Sequence, residues 1–101
     1  MKRIAYGGGF ILTGDRIADA VLDYAAELAR AGAADHLKIP AIGFDDLEVE
    51  LDVVIGPASQ LVAEPATVAA PELEDDDFVE NLSHRGRMAA AGRADQIGRD
   101  V

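Results

Sequence analysis

Ile17, Val21, Tyr24 and Leu28 recur at i, i+4, i+7 and i+11 within residues 15–31, DRIADAVLDYAAELARA. This is one apolar stripe of a 3.6-residue period. Arg16, Asp19, Asp23, Glu27 and Arg30 fall on the other side. The segments before and after it carry strand patterns, so the stripe must dock on a sheet. Burying each stripe residue contributes roughly 1.5–3 kcal/mol, against a domain stability of about 5–15 kcal/mol. Asp15, ahead of Thr13, is the expected N-cap and Gly32 the expected C′ residue.

The flanking strands follow from residue type and alternation. KRIAY, residues 2–6, sets Ile4 and Tyr6 on one face and Arg3 and Ala5 on the other. FILT, residues 10–13, is β-prone, and Gly7-Gly8-Gly9 joins the two as a hairpin turn. Residues 37–43 and 47–55 form a second hairpin. In its second arm Leu47, Val49, Leu51, Val53 and Ile55 alternate with Glu48, Glu50 and Asp52. A three-residue turn at Phe44-Asp45-Asp46 pairs Ala41 with Val49, Ile39 with Leu51 and Leu37 with Val53, and sets Lys38 opposite Asp52. Register follows the buried face, which favours this pairing. Pro40 lacks a donor, so its strand is expected at an edge, at least at that point. Residues 60–63 return as a fifth strand or, with Pro57 at N1, as a helical turn. The strand is preferred.

The fold expected is α+β: an antiparallel sheet of four to five strands in ββαββ order, with one main helix on one face and a weaker C-terminal helix. Residues 1–64 make the core domain, 65–71 a Pro/Ala linker, and 72–91 an acidic helix or docking segment. Residues 92–101 are expected as a disordered tail. Asp75 or Asp76 caps the second helix, and Gly86 weakens its later half.

Composition narrows the chemistry. The chain has 101 residues and a net charge of −10, with no cysteine. That charge disfavours direct binding to nucleic acid. The lack of cysteine removes disulfides, thiolate catalysis and Cys-ligated metals. There is no secretory leader pattern and no apolar run long enough to span a bilayer, so a cytoplasmic location is expected. Half the residues are hydrophobic, yet 19 are alanine. The core is therefore small, and self-association to a homodimer is a natural way to cover more apolar area.

Sites are sparse. Gly9 and Gly14 have P-loop spacing, but Asp15-Arg16 follows where Lys-Ser/Thr is needed, and an acid there repels phosphate. His36 and His84 show no paired-ligand spacing. Ser59 in GPASQ is no nucleophile elbow. Glu48, Glu50 and Asp52 read as a solvated strand face rather than a cation site. No cofactor, metal or catalytic residue is assigned. The candidate ligand-binding residues are Tyr6, Gly7, Gly8, Gly9 and Asp15. The candidate partner-binding residues are Phe78, Val79 and Leu82, apolar anchors in the acidic run ELEDDDFVENL.

An opening strand ending in Tyr6-Gly7, a second strand, one long helix, an acidic hairpin and a GPASQL turn follow one another over residues 3–64. That order, with an Ala/Asp/Arg/Gly/Val-rich composition, resembles small uncharacterised proteins of high-G+C Gram-positive bacteria. The resemblance implies a ββαββ domain and carries no activity with it. The leading functional expectation is a non-enzymatic assembly or adaptor module, homodimeric, with a further protein partner at the acidic C-terminal segment. The second is a small-molecule or anion-binding protein, enzymatic or not, using the Gly7–Gly9 loop and the start of the main helix. A third is an inhibitor that mimics nucleic acid with its acidic faces.

Overall fold

A computed structural model describes the backbone of residues 1–99 and the side chains of residues 1–92. Five strands and two helices follow one another as β1 (Lys2–Tyr6), β2 (Gly9–Thr13), α1 (Asp15–Ala31), β3 (Asp35–Ile42), β4 (Glu48–Ile55), β5 (Val62–Pro65) and α2 (Asp76–Arg99). All pairings are antiparallel, in the order β4-β3-β2-β1-β5. The class is the expected α+β, but the element order extends beyond ββαββ. The fifth strand preferred at residues 60–63 is present as β5, shifted to Val62–Pro65 and so reaching one residue into the expected linker; it closes the free side of β1, pairing Lys2 with Pro65 and Ala5 with Val62.

The main helix covers residues 15–31, and its stripe residues Ile17, Val21, Tyr24 and Leu28 are all buried. Its N-cap is Gly14 in extended conformation, with no side-chain cap of its own, so Asp15 stands one place inside the helix. The capping acceptor comes from far along the chain: the Asp15 amide donates to Glu72 Oε2 at 2.6 Å. Gly32 ends the helix in the left-handed region; its N–H donates to the Ala29 carbonyl and that of Ala33 to the Leu28 carbonyl.

The second hairpin has the expected register, with Ala41, Ile39 and Leu37 opposite Val49, Leu51 and Val53, and Lys38 opposite Asp52. Its turn holds Asp46 at φ 61°. Pro40 is not on an edge strand, because β3 lies between β4 and β2. Yet β2 and β3 pair only at Leu12 and Ile42, so the ladder is already open at Pro40. There the Thr13 hydroxyl donates to the Pro40 carbonyl at 2.7 Å. A side chain takes the place that a strand partner would fill.

The sheet is curled. In a flat sheet β1 and β4 would lie about 14 Å apart, three steps of about 4.8 Å, beyond the reach of a tyrosine side chain. The Tyr6 hydroxyl nevertheless donates to the carbonyl of Val54 in β4. The connection of residues 56–61 likewise runs from one outer strand to the other.

The core joins Ile4 and Ile11, the α1 stripe, Leu37, Ile39, Ala41, Val53 and Ile55 to Leu73 and Leu82. Residues 72–91 are thus not detached. Leu73 and Leu82 are 6% and 2% exposed. Asp75 accepts from the Phe78 amide at 3.0 Å at the start of α2. The α2 backbone continues to Arg99, past the expected end of order at Gly92; the last two residues of the expected tail lie outside the described residues.

Candidate functional site

Gly7 and Gly8 are the two central residues of the β1–β2 turn, both at positive φ (58° and 87°), as a two-residue hairpin of this twist requires. Gly9 is already in β2 and pairs with Tyr6. Asp15 lies beyond the other end of β2. Five extended residues, Gly9–Thr13, separate the turn from the helix. At about 3.3 Å each, they hold the two apart by roughly 17 Å. The turn and the helix start therefore do not converge on one ligand. The helix start is also occupied: Glu72 takes the Asp15 amide, and a Cβ at Gly14 would lie 1.8 Å from the Leu73 carbonyl oxygen. The Met1 ammonium contacts Asp15 Oδ1 at 3.0 Å and Glu72 Oε1 at 2.8 Å. Those contacts, led by the Glu72 hydrogen bond, hold its pKa above the ordinary value. Tyr6 serves the fold through its bond to Val54.

The C-terminal anchors face inward. Leu82 belongs to the core, and Phe78 and Val79 are half-buried against it. A docking role for these three would require removing them from the chain's own interior.

Asp35 joins three elements at the start of β3. Its Oδ2 accepts from the Tyr24 hydroxyl of α1 at 2.5 Å and from Arg85 Nη1 of α2 at 3.1 Å. Its Oδ1 accepts from the His36 amide at 2.8 Å. The Tyr24 bond, with help from His36 and Arg85, lowers the Asp35 pKa. Burial, then the Asp35 bond, pushes the Tyr24 phenol up to about 12. Asp35 is held by donors from α1, β3 and α2, so this group is a latch between the three elements; Tyr24 also lines the groove between α1 and α2.

A groove of about 590 Å³ runs between α1 and α2. Its walls carry Arg16, Arg30 and Arg87 with Asp19, Asp23 and Glu27. Arg30 pairs with Glu27 at 2.7 Å, and Arg16 with Asp76 at 2.5 Å. Ser83 lines the groove and no histidine does, so no nucleophile–base pair forms there. Among the described residues, no group of three or more His, Asp or Glu could hold a metal ion.

Three exposed large apolar side chains, Phe44, Leu47 and Val49, fall together at the far end of the β3–β4 hairpin. Alternation correctly places Leu47, Val49 and Leu51 on the side of Val53 and Ile55, but cover fades along the strand. Val53 and Ile55 are buried, Leu51 is half-buried, Val49 is 37% exposed and Leu47 is 63% exposed. Phe44, at the tip, is fully exposed. The hairpin outruns the layer that covers its root. On its opposite face stand Glu48, Glu50 and Asp52, with His36 2.9 Å from Asp52 and Lys38 only 3.9 Å from Glu50.

No helix among the described residues is long and apolar enough to cross a membrane. Comparison with protein-family models, curated proteins and solved structures finds no match to this chain.

Proposed function

We propose that the chain is a small non-enzymatic assembly or adaptor module that binds protein through the free end of its β3–β4 hairpin. One observation carries this reading: the apolar row of β4 continues through Val49 and Leu47 past the layer that buries Val53 and Ile55, and ends beside a fully exposed Phe44. Clustered exposed apolar side chains rimmed by charge mark contact surfaces. The groove between the helices, by contrast, is walled by charges of both signs, of which Arg30 pairs with Glu27, Arg16 with Asp76 and Asp19 with Lys2, and nothing stands within 4 Å of a Cβ at Gly7 or Gly8 to form a pocket.

A homodimer is the simplest assembly that covers this strip. Light scattering on the full chain at two concentrations tests it, alongside a chain carrying Leu47→Ser and Val49→Ser. Both positions are exposed, so the variant keeps its fold. The reading expects a dimer that the double substitution returns to a monomer. A dimer of unchanged mass in the variant removes the hairpin as its interface, and a monomeric wild type removes the homodimeric form.

A further inference from the structure

Backbone direction along β4 can be read from three separate contacts. The Gly43 amide donates to the Leu47 carbonyl at 2.8 Å, so the Leu47 backbone groups face β3. Alternation along an antiparallel strand then turns those of Val49, Leu51 and Val53 the same way, and those of Glu48, Glu50, Asp52 and Val54 outward. The Pro40 carbonyl is taken by Thr13 on the β2 side, and Pro40 stands opposite Glu50, so Glu50 also points away from β3. The Val54 carbonyl receives Tyr6 from outside the pair. The Val54 carbonyl on the outer edge of β4 is thus taken, while Glu48, Glu50 and Asp52 each present an N–H and C=O with no partner among the described residues. Among the described residues no strand lies beyond β4.

We infer that this open edge takes up an extended segment of a partner protein as a sixth strand, and that the segment alternates basic with apolar residues. The inference rests on the reading of the hairpin as a protein-binding surface and names its occupant. Strand addition gains affinity from main-chain hydrogen bonds and specificity from alternate side chains. Here the two faces of β4 ask for opposite things. On one face, Glu48, Glu50 and Asp52 are exposed, and Glu48 has no ion-pair partner among the described residues. Lysine or arginine opposite them satisfies that row. On the other face, Leu51, Val49 and Leu47 lack cover, and apolar residues in the segment extend the same surface. The net charge of −10 favours the approach of such a segment.

A second copy of the chain fits this edge badly. In a two-fold antiparallel pairing, residues directly opposite share a face. Every register centred between Glu48 and Asp52 then sets at least one acid opposite another acid, a destabilising arrangement. The second edge is a poor alternative: β5 has four residues, ends at Pro65, and its Glu64 is paired with Arg3 at 3.1 Å.

The test uses the full chain and a synthetic peptide of about nine residues alternating lysine with valine, with a control of equal composition whose lysines are grouped in a block. Backbone amide exchange is followed residue by residue. The alternating peptide is expected to slow the amides of Glu48, Glu50 and Asp52. Those of Val49 and Leu51, already bonded to β3, change little. Glu48→Gln with Glu50→Gln is expected to weaken binding about tenfold. Glu50→Pro, which removes one outward donor, is expected to weaken it more than Glu50→Gln does. Equal slowing by the blocked peptide, or binding without protection of the outward amides, overturns the inference in favour of simple charge attraction. No binding at all overturns it too; a Leu47- and Val49-dependent dimer would in that case still support the broader reading.

Discussion

The Tyr6 hydroxyl donates to the Val54 carbonyl, so a residue of β1 seals the outer edge of β4, three strand positions away in the sheet order. Tyr6→Phe keeps the ring and removes the bond. It is expected to lower stability by about 0.5–1.5 kcal/mol in urea unfolding. The sealed stretch of edge should open as well, which faster exchange or chemical-shift change around Val54 would report. Unchanged stability and unchanged signals at Val54 would show that the curl is held without this contact.

Glu72 and Gly14 form one joint between distant parts of the chain. A Cβ at Gly14 would meet the Leu73 carbonyl oxygen at 1.8 Å and its carbon at 2.9 Å. Both obstacles are backbone, so the segment carrying Leu73 must move away from the helix start. Gly14→Ala should therefore cost more than the roughly 1 kcal/mol expected for loss of a cap alone, as in Glu72→Ala. Gly86→Ala should act the other way. Its Cβ meets only Tyr24 Cδ1 at 3.8 Å and Glu27 Cγ at 3.9 Å, and alanine favours a helix interior by about 1 kcal/mol. Thermal melts of the three variants give the order.

Leu82→Ala is expected to destabilise the domain by about 2–5 kcal/mol, because the side chain is 2% exposed and lies in the core. Phe78→Ala, at a half-buried position, should cost less. A double variant with an unchanged melting temperature would mean that α2 does not pack on α1 in solution.

The Asp35 latch has a pH signature. The Tyr24 phenol is raised to about 12, so its contribution to stability is fully present below the ordinary tyrosine value near 10 and is lost as pH rises through the folded value. Asp35 is lowered, so its contribution is present above the ordinary carboxylate range and is lost as pH falls. In Tyr24→Phe both groups lose their mutual bond. The difference in urea midpoint between wild type and variant should be largest at neutral pH and shrink at both alkaline and acid extremes. A constant difference across pH would exclude the latch.

The periodic parts of this fold were legible from residues alone. The α1 stripe specified its buried face, and the pairing of Leu37, Ile39 and Ala41 with Val53, Leu51 and Val49 followed from keeping apolar residues together. Alternation says which face of β4 is apolar but not how far the covering layer reaches. Leu47 and Val49 therefore looked like core and lie in the open. Pro40 announced a missing donor, and only the structure shows the Thr13 hydroxyl beside its carbonyl. The Glu72 cap was not legible, because it joins residues 57 positions apart with no local pattern. Phe78, Val79 and Leu82 have the same spacing whether a helix docks on its own domain or on another. In the fold Leu82 is buried in the core and Phe78 and Val79 are half-buried against it.

The pairing of β1 with β5 also bears on how the chain reaches this state. The two hairpins close over short turns, so they can form early and independently. By contrast, Ala5 meets Val62 and Lys2 meets Pro65 only when segments some sixty residues apart come together. That contact offers no return until the intervening loop has already lost its freedom. The seam beside β1 thus belongs to the late steps of folding, and until it closes, β1 remains a second open template for stray strands.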